Sequence, residues 1–348
     1  MDRLERIGRL SAAPGVTGLE EGVAAEVLRQ LQGLGIRAWQ DKAGSVFGQV
    51  GEEGPLVLLM AHMDEIGMAI QAVEENGMAR LWKVAGVDPR VLAGSRLLIH
   101  TKDGPLPAVA GALPPHLQRG EEAPRAYAWE DLLLDTGLGP AAKERVQVGD
   151  VVTLYPHAPL ALLDGRLSCK TLDDRGPLGA LLDLLARLRQ NPAPCRAVLC
   201  ASVQEEKTGA GGLTAPRQLR PDMAIAVDVC HSGPPETEFR THPLDTIVIN
   251  RSLCLHPGVV NLLEAAAKKA GVEYEIGAGM TASGTDAFHI APQAGGIATG
   301  LLEVPLRYMH TSAEVISARA LDDLERVLEA FLRGLAGESW KEALCWKD

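Results

Sequence analysis

The stretch Pro55-Leu56-Val57-Leu58-Leu59-Met60-Ala61-His62-Met63-Asp64-Glu65 decides the fold. Its unbroken apolar run follows a Gly-Glu-Glu-Gly turn and is too continuous for a half-exposed strand. It reads as a strand buried on both faces, which belongs in a sheet covered by helices. The run then ends in an imidazole and two carboxylates. His62 and Asp64 are two residues apart, so their side chains start on the same side of the backbone, and Asp64 is placed to orient the ring. A lone His-x-Asp is more often a satisfied structural pair than a metal site.

Working outward, residues 2–12 and 19–34 carry apolar positions at helical spacing, separated by the turn Ala13-Pro14-Gly15-Val16-Thr17-Gly18. Segments 46–50 and 55–62 read as a hairpin-like pair of strands. From 67 to about 162 short apolar runs alternate with Gly, Pro and Asp turns and helical periodicity nearly vanishes, which predicts a separate small β-barrel or sandwich. Its polar loop at 117–125 is expected to be mobile. Beyond Lys170 the pattern reverts to α/β, with helices over 177–190, 211–220, 258–270 and 317–335 and strands over 197–203, 223–228 and 297–303. The expectation is an α/β domain (residues 1–66 and 163–348), a mixed central sheet flanked by helices, interrupted by a β-barrel insert at 67–162.

Two more apolar strands end in acids. Ala197-Val198-Leu199-Cys200-Ala201-Ser202-Val203 runs into Gln204-Glu205-Glu206, where consecutive side chains point in different directions, so one can bind metal while its neighbour acts as base. Ala224-Ile225-Ala226-Val227 ends in Asp228, at the kind of strand end where open α/β sheets bind ligands. Leu172-Asp173-Asp174-Arg175 precedes a helix that Pro177 can start; an N-cap acid with a solvated neighbour explains that pair as well. His310 stands between a strand and the last helix. Taken together, His62, Asp173, Glu206, Asp228 and His310 offer a mixture of imidazole and carboxylate that suits two zinc, cobalt or manganese ions.

Composition narrows the classes. The chain has 348 residues, 46% hydrophobic and 23% charged, an ordinary globular make-up with room for more than one core. A formal charge of -11 excludes an extended nucleic-acid surface. No apolar run is long enough to span a bilayer, and the charged start Met1-Asp2-Arg3-Leu4-Glu5-Arg6 fits neither a signal nor a transit peptide, so a cytoplasmic location is expected. The six cysteines lack zinc-knuckle spacing, and Cys195 and Cys200 read as thiols around a strand rather than a disulfide.

These motifs resemble the M42 family of metallo-aminopeptidases, the tetrahedral or glutamyl aminopeptidase group, some of whose members carry an endoglucanase label. The resemblance runs through 11–21, Ala61-His62-Met63-Asp64-Glu65-Ile66-Gly67, Gly86-Val87-Asp88-Pro89-Arg90, Pro114-Pro115-His116-Leu117, Leu172-Asp173-Asp174-Arg175, Gln204-Glu205-Glu206, Ala226-Val227-Asp228-Val229, Gly284-Thr285-Asp286-Ala287 and Pro305-Leu306-Arg307-Tyr308-Met309-His310. It implies a zinc-exopeptidase-like fold in which Asp173 bridges two metals, His62 and Asp228 complete one site, and Glu206 and His310 complete the other. It further implies Glu205 as general base, a cis peptide after Asp173, Asp286 near the substrate, short peptides as substrates, and assembly through the barrel into homo-oligomers such as tetrahedral dodecamers.

The sequence departs from that pattern at Lys207-Thr208-Gly209-Ala210-Gly211-Gly212, at Pro177 and over 239–249, all of which touch specificity rather than the ligand set. Lys207 also reads as an exposed loop lysine, and Asp286 as a helix cap. His116, His231 and His289 read as structural or as supports behind the ligands, and Cys169 and Cys230 are left without a role. A metal-independent glycoside hydrolase, which needs only a carboxylate pair, and a non-catalytic peptide-binding protein are the competing functional readings.

Overall fold

The computed structural model describes residues 1–112, 127–233, 241–279 and 284–345. His116, the loop at 117–125 and positions 239 and 240 lie outside the described residues. The chain opens with α1 (Arg3–Ala12), α2 (Glu21–Gly33), β1 (Arg37–Gln40), β2 (Val46–Val50) and β3 (Leu56–His62). Then come β4 (Gly67–Val73), β5 (Ala79–Val84), α3 (Pro89–Leu92), β6 (Arg96–Thr101), β7 (Gly104–Ala110), β8 (Leu133–Asp135), α4 (Ala142–Arg145) and β9 (Val151–Leu154). The remainder runs β10 (Leu160–Ala161), β11 (Arg166–Cys169), α5 (Leu172–Gln190), β12 (Arg196–Ser202), α6 (Ala210–Leu219), β13 (Met223–His231), β14 (Ile247–Asn250), α7 (Pro257–Ala270), β15 (Tyr274–Gly277), α8 (Asp286–Ile290), β16 (Ala298–Arg307), β17 (Glu314–Ser317), α9 (Ala318–Arg333) and α10 (Ser339–Leu344).

One large mixed sheet follows the order β1-β2-β12-β3-β13-β16-β17-β11-β10, with β14 and β15 branching from β16. The continuous apolar run of β3 has its explanation here: every residue is buried, with β12 and β13 parallel on either side and α5 across its face. Strands 46–50 and 55–62 do not form the expected hairpin. β12 inserts between them, antiparallel to β2 and parallel to β3, and β2 takes β1 as its hairpin partner instead. The short turn at 51–54 could not reveal a third strand arriving from much later in the chain.

β4, β5, β8, β7, β6 and β9 close into a barrel with its own core, including Met68, Ile70, Leu97, Ile99, Leu134 and Val152. The core of the large sheet is separate, with Leu58, Leu59, Met60, Leu181, Val198 and Ile225 among its members. All six cysteines are free. Among the described residues no helix is long and apolar enough to cross a membrane.

Candidate metal centre

The carboxyl ends of β3, β12 and β13 meet because their register aligns them, with Ser202 level with His62 and Ala226 level with Met60. Each strand therefore releases its polar residues on the same side of the sheet. His62 reaches Asp173 Oδ1 through Nε2 at 3.0 Å, and its Nδ1 lies 3.2 Å from the Asp64 carbonyl oxygen and 3.5 Å from the Asp64 carboxylate. His310 Nε2 stands 3.2 Å from both Asp173 Oδ2 and Glu206 Oε1. Donor atoms of His62, Asp173 and Glu206 lie within 4.8 Å of one another, as do those of His62, Asp174 and Asp228. The structure thus brings all five residues expected as ligands to one place and adds Asp174, which the sequence reading left without a ligand role. Asp174 is fully buried; its Oδ2 accepts from the His62 N–H at 3.2 Å, while its Oδ1 has no hydrogen-bond partner.

The supporting carboxylates hold backbone rather than rings. Asp64 is buried and accepts the N–H of Glu205 at 3.0 Å, the N–H of Glu206 at 3.2 Å and the Thr17 hydroxyl at 2.7 Å. It fixes the loop that carries the two glutamates more directly than it orients His62, whose Nδ1 is nearer the Asp64 carbonyl. Glu314 does the same on the far side, accepting from the Asp173 N–H at 3.2 Å and the His310 N–H at 2.8 Å. Sequence reasoning missed Glu314 because it missed β17: His310 sits in the turn between two antiparallel strands, not between a strand and the last helix. Below this layer Glu65 pairs with buried Lys170 at 2.5 Å and with buried Arg175 at 3.3 Å. Arg175 also donates to the carbonyls of Met63, Leu10 and Ala13.

Thr171, Gln204, Tyr308 and His310 all take left-handed φ values, at 59°, 59°, 58° and 64°. Non-glycine residues in this region are strained and gather at functional sites; here they flank the segments that deliver Asp173, Glu205 and Glu206, and His310. The Asp173–Asp174 peptide bond is cis. Gly86, from the barrel's β5–α3 connection, comes so close that a Cβ there would lie 2.5 Å from His310 Nδ1.

The electrostatics call for positive charge. Burial pushes the carboxyls of Asp174 and Asp228 well up, with Asp228 and Asp173 respectively adding repulsion, and it raises Glu206 and takes Glu205 up to about 10. Burial also disfavours the charged form of His310, but the Asp173 and Glu206 carboxylates outweigh it and hold the imidazole up to about 11. Asp173 goes the other way: the two imidazoles beside it overcome its desolvation and keep it well below the ordinary range. More carboxylates than imidazoles share one desolvated space, and they cannot all ionise without added cations. That excess, the orphaned Asp174 oxygen and the oxygen and nitrogen donors fit hard or borderline divalent ions.

Of the remaining candidates, Asp286 begins α8 and is buried, with Oδ2 accepting from the Ser202 hydroxyl at 2.5 Å; Gly284 and Thr285, rather than Asp286, line the cleft. Lys207 is exposed, and His289 packs against Gly209, where a Cβ would lie 2.2 Å from its ring. His231 is exposed at the cleft rim, and Cys169 is buried against Ser11.

A cleft of about 410 Å³ opens over Asp173, Glu205, Glu206, Asp228 and His310 and runs on past Cys230, Asn250, Gly277 and Glu303. Imidazoles and carboxylates gathered at the end of the sheet and opening on such a cleft form a site able to hold divalent metal ions beside a bound ligand. The sequence pattern of the M42 glutamyl aminopeptidase family matches residues 44–327, and the chain belongs to that family of metal-dependent enzymes that remove N-terminal residues. It is 28% identical to the lysyl aminopeptidase of Pyrococcus furiosus over 337 residues, covering 95% of this chain and 97% of that protein. It is 26% identical to the glutamyl aminopeptidase of Lactococcus lactis over 346 residues, covering 96% of each. The TET1 peptidase of Pyrococcus horikoshii, which can assemble into a tetrahedron or a large octahedral shell, superposes with a TM-score of 0.85 at 29% identity, covering 95% of this chain and 99% of that one.

Proposed function

We propose that this aminopeptidase uses two divalent metal ions and a glutamate general base to release N-terminal residues from short peptides. His62 and Asp228 would hold one ion and Glu206 and His310 the other, with Asp173, within reach of both imidazoles, available to both. Zinc or cobalt suits this donor set best, with manganese a further candidate. When bound, such ions supply Lewis acidity, which makes water more acidic and a peptide carbonyl more electrophilic.

Glu205 carries the proton. It takes one from the water whose oxygen attacks the scissile carbonyl carbon, and delivers it to the departing amine nitrogen as the C–N bond breaks, a cycle worth roughly 10²- to 10⁴-fold. Its carboxylate stands 3.9 Å from His62 Nε2, beside the donor cluster but outside both donor triplets. Desolvation raises its proton affinity to about 10 in the metal-free chain, where it holds a proton at neutral pH, and cations beside it would lower that affinity toward the range a base requires. Asp64 keeps the base and its metal-binding neighbour in register by accepting both of their N–H groups. Asp286 acts from behind, through Ser202, on the loop that follows β12.

Residues 67–162 act as an assembly unit inserted between the catalytic segments 1–66 and 163–348, and the enzyme works as a cytoplasmic homo-oligomer, up to a tetrahedral dodecamer. The exposed Trp82 and Val109 on the barrel suit burial between subunits.

The single observation that carries the reading is that both imidazoles converge on Asp173, His62 at 3.0 Å and His310 at 3.2 Å, with Asp228 grouped beside His62, Glu206 3.2 Å from His310, and Glu205 3.9 Å from His62. Metal analysis of the purified chain tests it. About two ions per chain, with loss in a Glu206→Ala variant, is the expected result. Full retention in that variant, or activity that survives exhaustive chelation, would refute it.

A further inference from the structure

Past the metal-binding residues the cleft continues into a recess that the chemistry above does not use. β13, β16 and β14 lie side by side there, with Asp228 level with Glu303 and Glu303 level with Val248. Side chains alternate along a strand, so Cys230 follows Asp228 and Asn250 follows Val248 on the face that carries Glu303. Glu303 is therefore one strand spacing, about 4.8 Å, from the Asp228 backbone.

The recess is built around one carboxylate. Asn250 Nδ2 donates to Glu303 Oε2 at 2.7 Å, and the Asn250 side-chain oxygen Oδ1 is held in turn by the Ser252 N–H at 2.9 Å and the Ser252 hydroxyl at 2.5 Å. Among the described residues Glu303 Oε1 takes no hydrogen bond. Gly277, level with Asn250 on the neighbouring strand β15, also lines the recess, and a Cβ there would come within 3.0 Å of Asn250 Nδ2 and push it aside. The nearby imidazole of His242 is already paired, its Nδ1 lying 2.5 Å from Glu275 Oε2. Two carboxylates thus face one imidazole, and the recess keeps an excess of negative charge. An acidic side chain entering it would meet Glu303 head on, and an apolar one would leave that carboxylate desolvated without a partner. A cation would pair with it.

We infer that this recess receives the side chain of the substrate's N-terminal residue, and that Glu303, clamped by Asn250, selects a basic one, lysine or arginine. This rests on the aminopeptidase reading above. It is tested on the metal-loaded full chain by measuring kcat/KM for lysyl, arginyl, leucyl and glutamyl p-nitroanilides with the wild type and with Glu303→Gln, using melting temperature and metal content as checks of folding. The wild type should favour the lysyl and arginyl substrates. Glu303→Gln should lower the lysyl-to-leucyl ratio of kcat/KM by about 10- to 100-fold, the loss of one charge-assisted hydrogen bond.

An unchanged ratio, or a wild-type preference for the glutamyl or leucyl substrate, overturns the inference while leaving an aminopeptidase in place. An equal loss on all four substrates also overturns it, since Glu303 would then serve the α-amino group they share. No turnover of any substrate by the wild type overturns the aminopeptidase reading itself. Should Glu303→Gln not fold, inhibition of the wild type decides the matter: lysine amide should bind at least tenfold more tightly than leucine amide, and equal binding overturns the inference.

Discussion

Replacing Asp64 by Asn tests whether the glutamate loop is positioned from beneath. In the native protein Asp64 Oδ1 accepts from the Glu205 N–H at 3.0 Å, and Oδ2 accepts from the Glu206 N–H at 3.2 Å and the Thr17 hydroxyl at 2.7 Å. Asparagine keeps the size but turns one of those oxygens into an NH₂ group, which must face an N–H donor. With the NH₂ group in the place of Oδ1, one charge-assisted hydrogen bond disappears, the other two weaken with loss of the negative charge, and the Glu205 N–H is left without an acceptor. At about 1.5–3 kcal/mol for a hydrogen bond to a charged group and 1–3 kcal/mol for an orphaned donor, a loss of about 3 kcal/mol is a modest expectation. If it falls on the placement of Glu205, kcat drops roughly a hundredfold. None of the proposed ligand side chains is altered, so metal content should stay near that of the wild type. Steady-state kinetics with metal quantification on the same preparation is the assay. A kcat within threefold of wild type would refute the positioning argument, and loss of metal with retention of the fold would show that Asp64 acts on the ligands instead.

Three more outcomes follow from the same geometry. Glu205→Gln should retain metal and substrate binding and lose roughly 10²- to 10⁴-fold in kcat; a loss below tenfold would remove it as the base. Glu65→Ala leaves Lys170 and Arg175 buried without their carboxylate, which costs about 3–5 kcal/mol and should lower Tm by about 5–10 °C in calorimetry; an unchanged Tm would contradict it. Metal affinity should fall as the pH is lowered. His310, held up to about 11, carries a proton in the metal-free protein that an ion must displace. The His310 pairs themselves stabilise the metal-free fold fully below the unfolded imidazole value near 6.5 and lose that contribution only as pH rises through about 11. Titration of the chelated enzyme with Zn²⁺ across pH 6–8 checks this, and a pH-independent affinity would count against it.

The α/β character and the acid-bearing strand ends were legible in the sequence because burial on both faces leaves a local mark, an unbroken apolar run such as 56–61. The order of the strands left none. β12 pairs with β3 across more than a hundred residues, and only the fold shows that it separates β2 from β3. The ligand candidates were legible for a related reason: imidazole and carboxylate are costly at the end of a buried strand, so their presence there is itself informative. Glu314, Glu65 with Lys170, and Asn250 with Glu303 were not, since each is an unremarkable residue alone and gains its role from a partner far away in the chain. The burial of Asp174, for which the sequence left a capping or solvated role open, depends on packing against β3 and has no local mark.

Gly86 ties two hydrophobic cores to one imidazole. It belongs to the barrel, yet no side chain larger than hydrogen fits between its backbone and the His310 ring. The wall that limits where this ring can swing is therefore supplied by the part of the molecule that carries none of the other donors. A shortened enzyme lacking the barrel would keep every donor atom and lose the surface against which one of them rests. A different barrel grafted onto the sheet would have to leave that same gap beside the ring.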